Sequence, residues 1–334
     1  MSILMNNPPS IKMILILISL EPYHLKAIRA AAPGAQLVML PDPEERAKKI
    51  GKFIPDVEVI LANPHQDRTL PAQFLKGLRL RWIQQRSAGA NWLLEHPEVA
   101  EKDLIITNAS GVHAIPISEH ILAFMFCLAR DIQRSIRDQV GHRWNRIHQV
   151  TELDGQTMCL IGLGAVGERT AEKAKGFNMR VLGVRRHPEL ATPWADQVYG
   201  PEHLMVVLPQ SDWVIITAPL TQETQAMIGA RELQAMKKSA FLINVSRGRI
   251  IQEQALITAL QEGWIAGAGL DVFEEEPLPD SSPLWNMENI VITGHYAGRN
   301  PHYLDRLIGI FVENLRRYQA GKPLINVVDK RLGY

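Results

Sequence analysis

An arginine in NVSRG, an acid in DVFEEEPLP and a histidine in ITGHYAG each follow an apolar run that reads as a buried strand. Arg247, Glu276 and His295 are therefore expected in loops beyond strand ends, the edge at which open parallel sheets bind ligands. Together these residue types suit a reaction at a carbonyl beside a carboxylate. A guanidinium binds carboxylate and carbonyl oxygens and stabilises developing alkoxide charge, and an imidazole gives or takes the proton at the carbonyl oxygen. A neighbouring carboxylate orients the imidazole and favours its charged form. Each residue alone has a duller reading: a surface ion pair for Arg247, a solvated acidic run for Glu276, a structural role for His295. What the three still need is a source of hydride.

The stretch CLIGLGAVG supplies a place for one. Gly162, Gly164 and Gly167 form GxGxxG between an apolar strand and an amphipathic helix, where the glycines permit a tight turn, close approach of a pyrophosphate and close helix packing. Ala165 and Val166 are expected to line that pyrophosphate at the helix N-terminus. The next strand ends in VLGVRRHP. An acid there would bind the adenosine ribose of NAD and repel a 2′-phosphate, and Arg185 reverses that preference because its guanidinium matches phosphate oxygens. NADP(H) is expected as the preferred cofactor, with NAD(H) second. Arg186 is the other candidate contact, although neighbours on an extended strand point in opposite directions.

Two α/β series must position these residues. The first alternates IKMILILISL, AQLVML, VEVILA, LRLRWIQQ and DLIITN with helical patterns, and the second runs from TMCLIGL through MRVLGV, DWVIITA, SAFLINV and IAGAGLDV to NIVIT. Such alternation implies parallel strands joined by helical crossovers. Between the series, residues 115–140 read as one long helix, too apolar in its first half for solvent and expected to pack between two domains. The closing helix, YLDRLIGIFVENLRRYQ, has no strand left to cover in the second series and is expected to return to the first. That makes the first domain discontinuous, 1–113 plus 300–334, around a domain of 114–299, with hinges near Val112–Pro116 and Asn300–Pro301.

Composition narrows the class. The 334 residues are 46% hydrophobic and 21% charged, with 36 Lys and Arg against 35 acids and a net charge of +1, so no global field recruits nucleic acid or an anionic membrane. MILILISL resembles a signal-peptide core, but Glu21, His24, Lys26 and Arg29 interrupt the path to AAAPGA, and a buried first strand is expected instead. No run reaches the roughly 20 apolar residues that span a bilayer. Cys127 and Cys159 lie in apolar stretches and are expected as buried reduced thiols, which suits a cytoplasmic location. No metal is expected.

These motifs, in the order GLGAVG, TAPLTQET, NVSRGRIIQEQAL, AGAGLDVFEEEPLP and GHYAG, closely resemble the D-isomer-specific 2-hydroxyacid dehydrogenases, which include glyoxylate/hydroxypyruvate reductases. The resemblance runs from about the first strand to the closing NVVDKRLGY. It implies two doubly wound parallel-sheet domains, a Rossmann nucleotide-binding domain and a discontinuous flavodoxin-like substrate domain, with a homodimer formed through the nucleotide domain. It places the family's catalytic arginine, glutamate and histidine on Arg247, Glu276 and His295. It also assigns substrate carboxylate binding to backbone N–H groups of Ala88 and Gly89, and nicotinamide carboxamide binding to Asp271. Ala218 and Pro219 fall on the adenosine side, with a polar contact from Thr224, and Gly298 approaches the nicotinamide through its backbone.

The activity so implied is reduction of small keto acids such as glyoxylate or hydroxypyruvate. Phosphite-type oxidation uses a similar triad, whereas a formate-type enzyme is expected to lack the Glu–His pair. A nucleotide-sensing corepressor is the reading outside enzymes. In two respects the sequence is unusual for the family. Gly294 stands where proline often precedes the catalytic histidine, which frees the loop, and Tyr296 follows it, to narrow the site or to pack. Trp82, Trp92 and Trp144 are candidates for substrate selection or for packing.

Overall fold

The computed structural model describes residues 11–64, 66–90, 92–146 and 150–330. The ends of the expected discontinuous domain, residues 1–10 and 331–334 with the last of the NVVDKRLGY match, lie outside the described residues. The chain divides into two compact units, one comprising Met1–Val112 with Pro301–Tyr334 and the other His113–Asn300.

In the first unit, β1 (Met13–Ile16), β2 (Gln36–Met39), β3 (Val59–Ala62), β4 (Trp82–Gln85) and β5 (Ile105–Thr107) form a parallel sheet of order β2-β1-β3-β4-β5. Helices α1 (Pro22–Ala31), α2 (Pro43–Phe53) and α3 (Leu70–Lys76) cross between successive strands, and two short helices, α4 (Trp92–Glu95) and α5 (Pro97–Ala100), precede β5. Side chains alternate between the faces of a strand. Ile14 and Ile16 therefore pack with Ile28, Trp82 and Phe311, while Leu15 and Leu17 pack with Ile50, Phe74 and Leu93. Both faces are buried, as a doubly wound sheet requires. MILI is thus a core strand, as its interrupted flank suggested.

The second unit opens with α6 (Ala114–Ala129) and α7 (Ile132–Val140) where one continuous helix was expected. The break is at Asp131, whose φ of 54° is left-handed. Aspartate tolerates that region better than most residues, and one such residue ends an α-helix. The apolar face of α6, Ile121, Phe124, Met125 and Leu128, covers Met158, Leu160 and Val181 of its own unit's sheet. That sheet contains β6 (Thr157–Ile161), β7 (Arg180–Val184), β8 (Gln197–Tyr199), β9 (Trp213–Ile216), β10 (Phe241–Asn244), β11 (Gly267–Leu270) and β12 (Ile290–Ile292), in the order β12-β11-β10-β9-β6-β7-β8. The crossovers are α8 (Ala165–Lys175), α9 (Leu204–Val207), α10 (Ala230–Ala235) and α11 (Glu253–Gln261). The strand β8 was not anticipated, because three half-exposed residues carry no apolar run.

Both parallel sheets have the orders of doubly wound folds, the first flavodoxin-like and the second Rossmann-like. The chain then returns to the first unit in α12 (Tyr303–Gln319), which packs on α1 and buries Leu307, Phe311 and Leu315. Trp82 lies within this core, 5.2 Å from Phe311 and 5.7 Å from Tyr318 between ring centroids. Cys159 is fully buried, which pushes its thiol up to about 12, but Cys127 is only half-buried. Both are free. Among the described residues, no helix is long and apolar enough to cross a membrane.

Candidate active site

The GxGxxG segment joins β6 to α8. Gly162 has φ +101°, and a Cβ there would run into the backbone of Thr217 and Ala218, so the turn can close against β9 only without a side chain. Gly167 packs against the Gly162 carbonyl, whereas nothing lies within 4 Å of a Cβ built on Gly164. The chain is thus tight where it turns and open where a pyrophosphate would approach. Gly164 caps α8 without a side-chain hydrogen bond, leaving first-turn N–H groups at Ala165 and Val166 for an anion.

The two arginines beyond β7 diverge. Arg185 is only 11% exposed and folds back over the glycine turn, with Nη1 3.4 Å from the Leu163 carbonyl and 3.5 Å from Glu168 Oε1. Its Nε and Nη2 are buried with no hydrogen-bond partner. Unsatisfied buried donors cost stability, and an anion beside the turn would satisfy them. Arg186 is exposed, with Nη2 3.5 Å from Glu223 Oε2. Each arginine thus has a carboxylate at 3.5 Å; Arg185 adds buried donors beside the turn, and Arg186 is the more exposed of the two. A Rossmann turn, an uncapped helix start and two adjacent guanidinium groups fit a phosphorylated dinucleotide.

Three adjacent parallel strands carry the other candidates at their C-terminal ends: Arg247 after β10, Asp271 and Glu276 after β11, and His295 after β12. His295 Nδ1 lies 2.6 Å from Glu276 Oε2, and Glu276 Oε1 accepts the Phe273 N–H at 3.1 Å. Since the carboxylate accepts, Nδ1 carries the hydrogen and Nε2 is left to exchange a proton. Nε2 has no hydrogen bond among the described residues. Arg247 is exposed, its Nη1 donating to the Ser246 carbonyl at 2.7 Å, while Asn244 Nδ2 holds the Arg247 carbonyl at 3.0 Å. A Cβ on Gly248 would overlap the Phe273 carbonyl, so the arginine loop can lie against the start of the Glu276 loop only because Gly248 follows Arg247.

Asp271 is buried, and its carboxylate is already bonded to the loop after β12. Oδ1 accepts the Thr293 hydroxyl at 2.5 Å and the Tyr296 N–H at 3.0 Å, and Oδ2 accepts the Ala297 N–H at 3.0 Å. The carboxylate is first an anchor for the histidine loop. This anchoring offsets the freedom expected from Gly294. Thr224 is similarly occupied: its hydroxyl donates to the Pro219 carbonyl at 2.6 Å and accepts the Thr221 N–H at 2.7 Å, so it shapes the Ala218–Pro219 loop. Gly298, whose backbone is expected to approach the nicotinamide, has its carbonyl 2.9 Å from His113 Nδ1 and 3.1 Å from Asn300 Nδ2.

In the first unit, Gln85 Nε2 donates to the carbonyls of Ser87 and Gly89 at 3.0 and 2.8 Å, and Trp92 Nε1 fixes the Gln85 amide at 2.7 Å. The loop carbonyls are thereby consumed, and no hydrogen bond among the described residues uses the N–H of Ala88 or Gly89. Trp82 and Trp92 are buried supports, and Trp144 is 96% exposed.

Residues 122–297 match the family model described as D-isomer specific 2-hydroxyacid dehydrogenase, NAD binding domain. A glyoxylate reductase of Korarchaeum cryptofilum is 33% identical over 264 residues, covering 76% of this chain and 77% of that protein. The chain belongs to the D-isomer-specific 2-hydroxyacid dehydrogenase family. It is therefore an NAD(P)-dependent oxidoreductase. The crystal structure of a family protein from Aeromonas salmonicida is similar with a TM-score of 0.79 and 31% identity, covering 96% of this chain and all of that one. A second, from Xanthobacter autotrophicus in complex with NADPH and MES, has a TM-score of 0.76 and 30% identity, covering 98% and 100%.

Within this dehydrogenase the structure adds residues that the sequence did not mark. Gly248 sets the approach of two loops, Asn244 fixes the arginine loop, and Thr293 fills the carboxylate of Asp271. All three lie in the quoted motifs, Asn244 and Gly248 in NVSRG and Thr293 in ITGHYAG, but spacing alone does not show which atoms they hold.

Proposed function

We propose that the protein is an NADPH-preferring 2-keto acid reductase for small substrates such as glyoxylate or hydroxypyruvate, acting as a homodimer. The observation that carries the reading is the 2.6 Å bond from His295 Nδ1 to Glu276. It commits one ring nitrogen to the carboxylate and leaves Nε2 as the proton-exchanging atom, which a binding-only role does not need. Protonated at Nε2, His295 donates to the keto oxygen; neutral, it takes the hydroxyl proton in reverse. The Arg247 guanidinium binds the substrate carboxylate and stabilises charge at the carbonyl oxygen. By the family resemblance, the Ala88 and Gly89 N–H groups are assigned to carboxylate binding. A nicotinamide cofactor would supply the hydride when bound, and the Gly162–Gly167 turn, Ala218 and Pro219 would hold it.

Arg185 and Arg186 support the preference for NADPH, as does the similar Xanthobacter protein's NADPH complex. A charge-assisted phosphate contact is worth about 1.5–3 kcal/mol, roughly 10–150-fold in affinity. For the dimer, the support is an apolar stripe in the nucleotide-binding unit. Ile132, Ile136 and Val140 recur every four residues on α7 and are all exposed, with Trp144 beyond them. The deciding experiment is kcat/KM with NADPH and NADH, using glyoxylate, hydroxypyruvate, pyruvate and phenylpyruvate. Turnover of the small acids with NADPH favoured supports the proposal; NADH favoured removes the phosphate role, and binding without turnover removes the reductase.

A further inference from the structure

Beneath the histidine loop is a chain of bonds that the roles above do not use. On α6, His120 places Nε2 2.9 Å from Thr293 Oγ1, and that hydroxyl lies 2.5 Å from Asp271 Oδ1. A hydroxyl has one proton, and the carboxylate can only accept it, so His120 must donate to Thr293 from Nε2. Asp271 then takes the Tyr296 N–H on Oδ1 and the Ala297 N–H on Oδ2, while its backbone carbonyl accepts the His295 N–H at 2.8 Å. The His120 ring also meets Tyr296 edge-on at 5.4 Å and Phe124 at 4.6 Å between centroids. Burial pushes this imidazole below its ordinary value, against the pull of the Asp271 charge. The neutral ring with its hydrogen on Nε2 is the form this donation needs.

We propose that His120 is a positioning residue for His295, locking the loop from Thr293 to Ala297 through Thr293 and Asp271. The inference rests on the reading of His295 as the proton donor. His295 has φ 52°, a region that non-glycine residues hold only where the surroundings over-determine it, and flexible Gly294 precedes it. Its ring is aimed by Glu276, and its backbone N–H, among the described residues, is held by the Asp271 carbonyl. His120 supplies the donor that keeps the Thr293 hydroxyl turned toward the Asp271 carboxylate. In this way α6 sets the direction of Nε2 without touching a reacting atom.

Two variants separate the parts. His120→Phe keeps a ring against Tyr296 and Phe124 but removes the N–H, and His120→Gln restores a donor near Nε2 without the ring. Amide hydrogen exchange at Tyr296 and Ala297 is read in the whole protein without substrate, and steady-state kinetics are read with NADPH and glyoxylate. His120→Phe is expected to speed both amides and lower kcat by about tenfold each, the value of one ordinary hydrogen bond, with KM for NADPH within about twofold. His120→Gln is expected to recover most of both losses. Thr293→Val removes the acceptor from the other side and carries the test if His120→Phe does not fold. Unchanged exchange in His120→Phe overturns the proposal, as does faster exchange with wild-type kcat. A wild-type protein that reduces no keto acid overturns the role of His295 instead, and exchange still decides whether His120 anchors the loop.

Discussion

His295 donates from Nδ1 to Glu276 Oε2 across 2.6 Å, and this one bond decides which imidazole nitrogen faces chemistry. Glu276 is fixed in turn by the Phe273 N–H. Replacing Glu276 by Gln keeps the shape but removes the charge that stabilises imidazolium. A charge-assisted hydrogen bond is worth about 1.5–3 kcal/mol, so kcat for keto acid reduction is expected to fall roughly 10–150-fold. His295→Ala should lose about 10²–10⁴-fold, with NADPH affinity within about twofold of wild type. Normal turnover by either variant, measured in steady state, removes that residue from the mechanism.

The arginines make a separable prediction. Arg185→Ala and Arg186→Ala should each weaken NADPH, by about tenfold or more for the arginine that contacts the 2′-phosphate, and leave NADH nearly unchanged. Calorimetric titration with both nucleotides reads this directly. Equal losses for NADPH and NADH in both variants would make the arginines supports of the turn. Arg185→Ala also leaves Glu168 without its cation, so an improved NADH affinity in that variant alone marks it as the discriminating residue.

Gly248 tests the packing that joins the Arg247 and Glu276 loops. A methyl group there meets the Phe273 carbonyl and Glu274 N–H, which belong to backbone and cannot rotate away. Overpacking of this kind costs about 1–3 kcal/mol. Gly248→Ala is expected to lower Tm by roughly 2–12 °C and to reduce kcat more than Gly263→Ala, where φ is +68° but a Cβ would meet nothing within 4 Å. Thermal unfolding and kinetics on the two variants check it, and an unperturbed Gly248→Ala enzyme means that the loops do not need this approach.

What could be read from the chain follows from how local each signal is. Gly162, Gly164 and Gly167 announce themselves because strand, turn and helix are contiguous, and Arg247, Glu276 and His295 because each closes an apolar run. The support for these residues is not local. His120 reaches Thr293 across 173 positions, and nothing in the apolar run of α6 marks it as a partner of the β12 loop. Asp271 has the expected place but a fuller set of bonds than spacing conveys. The break at Asp131 depends on one backbone angle, and β8 is too short and half-exposed to show a pattern. Strand alternation cannot rank Arg185 over Arg186, because β7 ends at Val184.

The exposed stripe on α7 predicts association. Val140 is 79% and Trp144 96% exposed, unusual for large apolar side chains unless something covers them. Light scattering after size exclusion is expected to give twice the 37.5 kDa chain mass, and Ile136→Glu or Val140→Glu to give the single chain. A wild-type monomer at micromolar concentration would leave the stripe unexplained by self-association.

The last prediction concerns pH and stability at His120. Its imidazole is held below the ordinary value by burial, with the Asp271 carboxylate pulling the other way and the Tyr296 ring packed on it. As pH falls below about 6.5, the unfolded chain takes up this proton before the folded one does. Proton uptake favouring the unfolded state means that stability falls with pH in that window. The contribution is fully present above the unfolded value and is lost as pH drops toward the lower folded one. Glutamine at this position cannot titrate, so His120→Gln should show a shallower loss of Tm between pH 7 and pH 5 than wild type. Parallel profiles would mean that His120 binds its proton equally well in both states, and the neutral donor form would then not be favoured by the fold.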